Sequence, residues 1–508
     1  MSFEGKIKPF KELCRIAARI KARGKKVVQC HGVFDILHPG IIRHIASAKK
    51  QGDVLVVTVV KDRDVRKGPG HPIFNEKLRA ENVASLGNAD YVSIVEDAPP
   101  GACIKMLRPD IFARGQDYDE RDQDVVKKIE QEEESLEIAG CKIHYTPGKV
   151  YSSTNIINQF LDVYPEEVKR YLKNFRNKYT PQDIIRAIEG LKKMRVLIIG
   201  DGIIDEYHYC STLGKSAKAP LVVNRYLSHE VFAGGAFAVA NHVAGICGEV
   251  QLVTLLGEIN SREEFILQKL KPNVKTKFFY REEGPTVIKR RYIDRYLNQK
   301  LFEINYLKNE YINEKCESAV VEYLKKQTGK YDLILVPDFG HGFITDKIIK
   351  MIKQVSGKVA VNTQTNAANA GYNMITKYQN PNCVCLDEVE ARWATQERFS
   401  DIEMVIRRLS KALKTNYLII TMGKSGSIGI DKKGEINRSP VFSTKVTDTV
   451  GAGDAVFSFV APCCIKRMPL DLITFIGNAV GAIAVQIVCN RESVEPKKLF
   501  EFTCTLLH

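Results

Sequence analysis

Asp448-Thr449-Val450-Gly451-Ala452-Gly453-Asp454 is the stretch on which the reading of this chain turns. Two glycines around an alanine let successive backbone N–H groups point into one concavity, and such a nest entering a helix N-terminus suits an anion. The small and apolar run that follows, Ala455-Val456-Phe457-Ser458-Phe459-Val460-Ala461, predicts a buried helix starting there. Asp454 then stands beside the nest, where its carboxylate can accept the proton of a hydroxyl as that oxygen attacks a γ-phosphate. A bare glycine-alanine-glycine turn can also simply join a strand to a helix, so the rest of the chain has to decide.

The whole string resembles the signature of the ribokinase (PfkB) family of sugar kinases, and further stretches between about 194 and 500 fit it. The resemblance makes Gly451, Ala452 and Gly453 the anion hole and Asp454 the base, with Asp448 on the substrate side. It places Asp205, after the apolar run Val196-Leu197-Ile198-Ile199, against substrate hydroxyls. The small-residue stretch Ala233-Gly234-Gly235-Ala236 to Asn241 resembles the family's first glycine signature, which puts Gly234, Gly235 and Asn241 at the substrate. Cys385-Leu386-Asp387-Glu388 fits an NxxE motif with its asparagine replaced, leaving Glu388 to order the water shell of Mg²⁺. Gly423 and Gly426 would border the nucleotide and Asn478 its adenine, while His341 stands where lysine is usual. Strands at 220–226 and 286–293 would form a β lid that pairs two subunits, with Arg290, Arg291 and Arg295 as candidates for a substrate phosphate.

Nearer the start, Val27-Val28-Gln29-Cys30 and the β-branched run Val54-Leu55-Val56-Val57-Thr58-Val59-Val60 read as parallel strands buried on both faces. Between them His31-Gly32-Val33-Phe34-Asp35-Ile36-Leu37-His38-Pro39-Gly40-Ile41-Ile42 is a strand-to-helix turn, with Pro39 and Gly40 where the helix begins. This βαβ unit carries its ligand turn at the carboxyl end of the first strand. Residues 31–42, and later 66–72, 75–81, 114–118 and 152–157, resemble the cytidylyltransferase-like nucleotidyltransferases, in particular their heptose-phosphate adenylyltransferase branch. The resemblance makes His38 the first histidine of an HxGH motif that stabilises the α-phosphate as pyrophosphate leaves. It implies nucleotide contacts from His31, Gly32, Phe34, Gly40, Lys67, Arg79, Ser152, Ser153 and Thr154, with Asp35 near the acceptor. The second histidine position is Ile41, which donates no hydrogen bond; losing one such donor costs ~3–4 kcal/mol. His44 and His31 are the nearby substitutes.

A chain of 508 residues with 44% hydrophobic and 27% charged content reads as a soluble protein of two or three domains. Its formal charge of +15 admits nucleic acid, an anionic membrane or phosphorylated small molecules. Basic residues interspersed with acidic ones, as in 127–134, favour the last. The apolar stretch Leu472 to Val488 is broken by Asn478 and Gln486, so a buried helix is expected and no membrane span. Thirteen dispersed cysteines without a CxxC pair, and a start without an apolar signal core, point to a reducing cytoplasm.

The expectation is thus α/β throughout: a Rossmann-like nucleotidyltransferase domain at 1–160, a helical linker at 161–193, and a ribokinase-like α/β domain with a β lid at 194–508. Together the halves resemble the bifunctional heptose-7-phosphate kinase and heptose-1-phosphate adenylyltransferase family with domain order reversed. That implies ATP and Mg²⁺ for the kinase, ATP or CTP for the transferase, a phosphorylated sugar as acceptor, a homodimer, and neither nucleic acid nor membrane as partner. A kinase with a nucleotide-binding first domain, and a non-catalytic sugar-nucleotide sensor or scaffold, are the alternatives.

Overall fold

A computed structural model of the protein describes residues 3–65, 71–96, 101–115, 140–146, 164–355, 357–443 and 445–507. The chain divides into two compact units, Met1–Glu166 with Cys504–His508, and Glu167–Thr503.

In the first unit β1 (Val27–Gly32), β2 (Val54–Val60), β3 (Tyr91–Val95), β4 (Ile111–Gly115) and β5 (Lys142–Thr146) form a parallel sheet in the order β3-β2-β1-β4-β5. The apolar runs seen in the sequence are buried along both β1 and β2, as a sheet covered on two faces requires. Strand order reverses between β1 and β4, which opens a crevice at their carboxyl ends. The turn 33–38 lies there and leads into the helix Pro39–Lys49, whose N-terminus begins with proline as expected.

In the second unit β6 (Arg195–Ile199), β9 (Glu249–Ile259), β10 (Val274–Pro285), β13 (Leu333–Asp338), β14 (Val359–Thr363), β15 (Cys383–Asp387), β16 (Tyr417–Thr421), β17 (Ser427–Asp431) and β18 (Ile436–Ser439) build a nine-stranded sheet in the order β10-β9-β6-β13-β14-β15-β16-β17-β18. It is parallel from β10 to β16 and antiparallel beyond. Four further strands, β7 (Gly202–Lys215), β8 (Val222–Gly235), β11 (Val287–Asp294) and β12 (Gln299–Tyr306), make a separate sheet ordered β12-β11-β7-β8. The strands expected at 220–226 and 286–293 therefore exist and leave the main sheet. The run 455–461 lies in the helix Ala452–Ile465, buried almost all round; Leu472 to Val488 likewise begins in the buried helix Leu470–Ala484. Among the described residues no helix is long and apolar enough to cross a membrane.

The segment expected to link the domains forms the helices Glu166–Arg176 and Pro181–Glu189, the second opened by a Thr180/Asp183 capping box. The expected linker includes a buried anchor: Phe175 stacks on Phe475 at 4.1 Å between ring centres. Tyr179 and Lys178 both bond Asp471. These helices are part of the second unit.

Candidate functional site

Gly451 has φ +84°, and a Cβ there would lie 2.3 Å from Asn490 Oδ1, so conformation and space both demand glycine. It caps the helix Ala452–Ile465, and no side chain closes that end, which leaves first-turn N–H groups for an anion. One turn in, Asp454 is 5% exposed and accepts a hydrogen bond at Oδ1 from Gln364 Nε2. Burial, then the charge of Asp205, pushes the Asp454 carboxyl up to about 7; the Gln364 donor and the Lys289 charge oppose the rise.

Asp205 comes from β7, buried, and accepts from Arg291 Nη1 at 2.5 Å. It fits there because position 234 has no side chain: a Cβ would lie 2.0 Å from Asp205 Oδ2. Gly235, at φ +56°, turns β8 into the helix Ala236–Ile246. Gly234, Asp205, Asp454 and the Gly451–Gly453 nest are thus brought into one neighbourhood.

Other expected residues are placed elsewhere. Asn241 spends its amide on Lys269 O and the Lys271 N–H, both at 2.9 Å, and so fixes a loop. Asp448 is saturated: Oδ1 accepts from Lys300 Nζ at 2.7 Å and the Val450 N–H at 3.2 Å, Oδ2 from the Tyr207 hydroxyl at 2.7 Å and the Cys489 N–H at 3.0 Å. Glu388 turns to Arg392, four residues on. Glu390, two residues later, is the buried carboxylate; it accepts the N–H groups of Thr365 and Asp387, each at 2.9 Å, and burial followed by the charge of Asp387 pushes it up to about 8. Asp387-x-x-Glu390 has the same spacing as the frame at 385–388, with aspartate in place of asparagine, and that spacing was the signal available in the sequence. Gly423 and Gly426 shape the turn between β16 and β17; Asn478 Nδ2 donates to Ser427 Oγ and Ser439 O, both at 3.0 Å, tying that turn's strands together.

The lid cations also sort differently. Arg290 is paired with Glu206 and Arg291 with Asp205 and Glu303, while Arg295 is exposed. Lys289, unremarked in the sequence, is 9% exposed and has no hydrogen bond or ion pair among the described residues. It sits opposite Asp205 in the β7/β11 register, hence on the same face, and burial lowers its pKa. His341 is 2% exposed with neither ring nitrogen hydrogen-bonded among the described residues; burial, then the charges of Lys289 and Arg281, push it down to about 3, so it is a neutral imidazole.

In the first unit His38 caps its helix through Nδ1, which accepts the Gly40 N–H at 3.1 Å. His31 Nδ1 meets Thr58 Oγ1 at 3.0 Å, and the ring of Phe34, at φ +51°, lies against Gly32. Asp35, buried, has its oxygens taken by the Ile73 and Phe74 N–H groups at 2.9–3.1 Å. Arg79 is a clamp with no exposure, donating to Phe74 O, Val33 O, Val60 O and Asp62 Oδ1, which spends it before any triphosphate arrives. Ile41 packs, half-buried, against the core, and His44 Nδ1 meets Thr146 Oγ1 at 2.7 Å. Lys67, Ser152, Ser153 and Thr154 lie outside the described residues. Among the described residues no three His, Cys, Asp or Glu side chains cluster to hold a metal by themselves.

A parallel α/β sheet carrying a glycine nest, a buried carboxylate on the helix it caps and a small covering sheet defines a kinase of ribokinase architecture. The chain belongs to the pfkB family of carbohydrate kinases, whose pattern matches residues 194–496. A cytidylyltransferase-like pattern matches residues 30–159, so the transferase-like part precedes the kinase, the reverse of the usual order in the bifunctional relatives. Those relatives include the bifunctional protein HldE of Geobacter metallireducens, 37% identical over 32% of this chain and 33% of that protein. HldE of Haemophilus influenzae is 25% identical over 58% of this chain and 60% of its own length. The chain therefore spans less than two thirds of these relatives. Phosphofructokinase-2 from Escherichia coli, solved in complex with substrates and products, shares the fold of the second unit at TM-score 0.51 and 14% identity, over 61% of this chain and 99% of that one.

Proposed function

We propose that the protein is a bifunctional sugar-phosphate kinase and nucleotidyltransferase that makes a nucleotide-activated, heptose-like sugar. The observation that carries this is Asp454, a buried carboxylate on the first turn of a helix entered through the Gly451–Gly453 nest. Asp454 takes the proton of an anomeric hydroxyl while the nest receives the transferred phosphoryl group of ATP. Asp205, oriented by Arg291, accepts from sugar hydroxyls. Mg²⁺ would supply charge neutralisation for the phosphates, and the carboxylate that would order its water shell is the buried Glu390 rather than Glu388, which is paired with Arg392. The transferase, at 1–160, uses His38 at a helix N-terminus toward the α-phosphate of ATP or CTP. The kinase begins at 194, with the two preceding helices packed as part of its unit. Exposed Tyr226, Phe302, Ile304 and Tyr306 on the small sheet support a homodimer formed through that sheet.

The test is the product formed from heptose 7-phosphate, ATP and Mg²⁺, followed by phosphorus NMR, with heptose 1-phosphate and ATP or CTP supplied separately for the second step. A bisphosphate followed by pyrophosphate release that His38→Ala abolishes is the expected result. A bisphosphate without pyrophosphate from either nucleotide selects the kinase with a binding domain, the reading favoured by Ile41, which offers the α-phosphate no donor. Binding of substrates without any product selects the sensor.

Lys289 and His341 present donors without partners on the acceptor side of the kinase site, which suits the phosphate the sugar already carries. Lys289→Met is expected to raise KM for the sugar phosphate at least tenfold with kcat little changed at alkaline pH, where Asp454 is ionised even without the Lys289 charge, since it removes a contact made equally in ground and transition states. Steady-state kinetics on matched phosphorylated and free sugars check this; an unchanged KM ratio removes Lys289 from the phosphate site.

A further inference from the structure

The stretch after β14, Gln364-Thr365-Asn366-Ala367-Ala368-Asn369-Ala370-Gly371-Tyr372-Asn373, is an amide-rich loop that the reaction above leaves without a role. Its amides are spent mainly on tying it to the end of β13. Asn366 and Asn369 both donate to Phe339 O, at 2.9 and 2.7 Å, and Asn373 Nδ2 bridges Asp338 O at 2.9 Å and Gln364 O at 3.1 Å. The Gln364 N–H in turn donates to Asp338 O at 2.9 Å. Gln364 is therefore held on both sides of its peptide, and the one side-chain amide of the loop directed at the base is its own, donating to Asp454 Oδ1.

We propose that Gln364, braced by Asn373 and the end of β13, is a positioning residue that fixes the rotamer of the Asp454 carboxylate and favours its ionised form. The inference rests on the reading of Asp454 as the phosphoryl-transfer base. An amide N–H can only donate, so it bonds a carboxylate lone pair and loses that bond when the proton settles on the same oxygen. The groups around the base pull in opposite directions. Asp205 from β7 disfavours the charged form, as does burial, and Lys289 from β11 favours it. Glu390, on the helix Glu388–Thr395, and Cys385 of β15 sense the same charge. Gln364 is the neutral donor in this set, so it stabilises the ionised base without competing for the acceptor's phosphate. With Oδ1 held by Gln364, Oδ2 is left to take the hydroxyl proton.

The test compares full-length wild type, Gln364→Leu and Gln364→Glu by infrared titration of the protonated carboxyl band, assigned to Asp454 by its loss in Asp454→Asn. The leucine variant keeps the volume and loses the donor; its Asp454 midpoint is expected to rise by about one pH unit, equivalent to about tenfold less ionised base below the midpoint. The glutamate variant, nearly isosteric, is expected to raise it further through a shared proton. The acid limb of kcat/KM for the kinase should move with the infrared midpoint in both. A midpoint unchanged in both variants overturns the inference even where activity falls, because a merely structural role lowers activity without moving the titration. A midpoint that moves in a protein with no kinase activity toward any sugar phosphate keeps the Gln364 contact and sinks the kinase reading instead.

Discussion

Asp454→Asn is expected to cut the kinase turnover about a thousandfold, within the ~10²–10⁴ range for loss of a general base, while pyrophosphate release by the first unit continues unchanged. Asparagine keeps the size and the Gln364 contact but cannot take the acceptor proton. The pH dependence should follow. The wild-type base must be ionised, and its carboxyl lies at about 7, so kcat/KM rises with pH up to about 7 and levels above it. The residual rate of the variant should lack that limb. Stability runs the other way: a folded pKa raised from 3.8 means the native state holds a proton that the unfolded chain has lost, so this group's contribution falls as pH rises from about 4 through about 7. Asp454→Asn should therefore be at least as resistant to denaturant at pH 8 as the wild type, the signature of a site that gives up stability for chemistry. Initial-rate profiles beside unfolding curves check both halves.

Arg79→Met is expected to destabilise the first unit by about 3–5 kcal/mol, because it leaves three backbone carbonyls and Asp62 without the donor they share. That is a large part of the ~5–15 kcal/mol that holds an ordinary domain. Hydrogen exchange resolved by segment is the measurement: amides of β1 and β2 should lose protection while those of β14 to β16 keep theirs. If Arg79 acted on the triphosphate instead, protection would be unchanged and only the KM for nucleotide would rise.

The strands were legible because β-branched runs such as Val54–Val60 have nowhere to go but a sheet buried on both faces, and the glycine nest because a positive φ at Gly451 leaves a mark in composition. What the sequence did not reveal are choices of partner. Arg79 and Lys67 looked alike as basic residues in a nucleotide-binding frame; only the tertiary position of three carbonyls makes Arg79 a clamp. Glu388 and Glu390 differ by two residues, and which of them is buried depends on where the helix starts. Arg290, Arg291 and Lys289 adjoin one another on β11, and the carboxylates that neutralise the arginines arrive from β7 and β12. Pairings of that kind are set by register between strands distant in sequence, which a single chain of letters does not display.

Asp448 is held at once by Tyr207 of β7, by Lys300 of β12 and by the backbone of its own loop. A displacement of the small sheet by more than the reach of a hydrogen bond takes two of the four donors from that carboxylate and leaves the Val450 and Cys489 N–H groups to hold it. Under the proposed kinase reading, a ligand that fixes the small sheet also steadies the segment that leads into Gly451, and linkage makes any such coupling reciprocal.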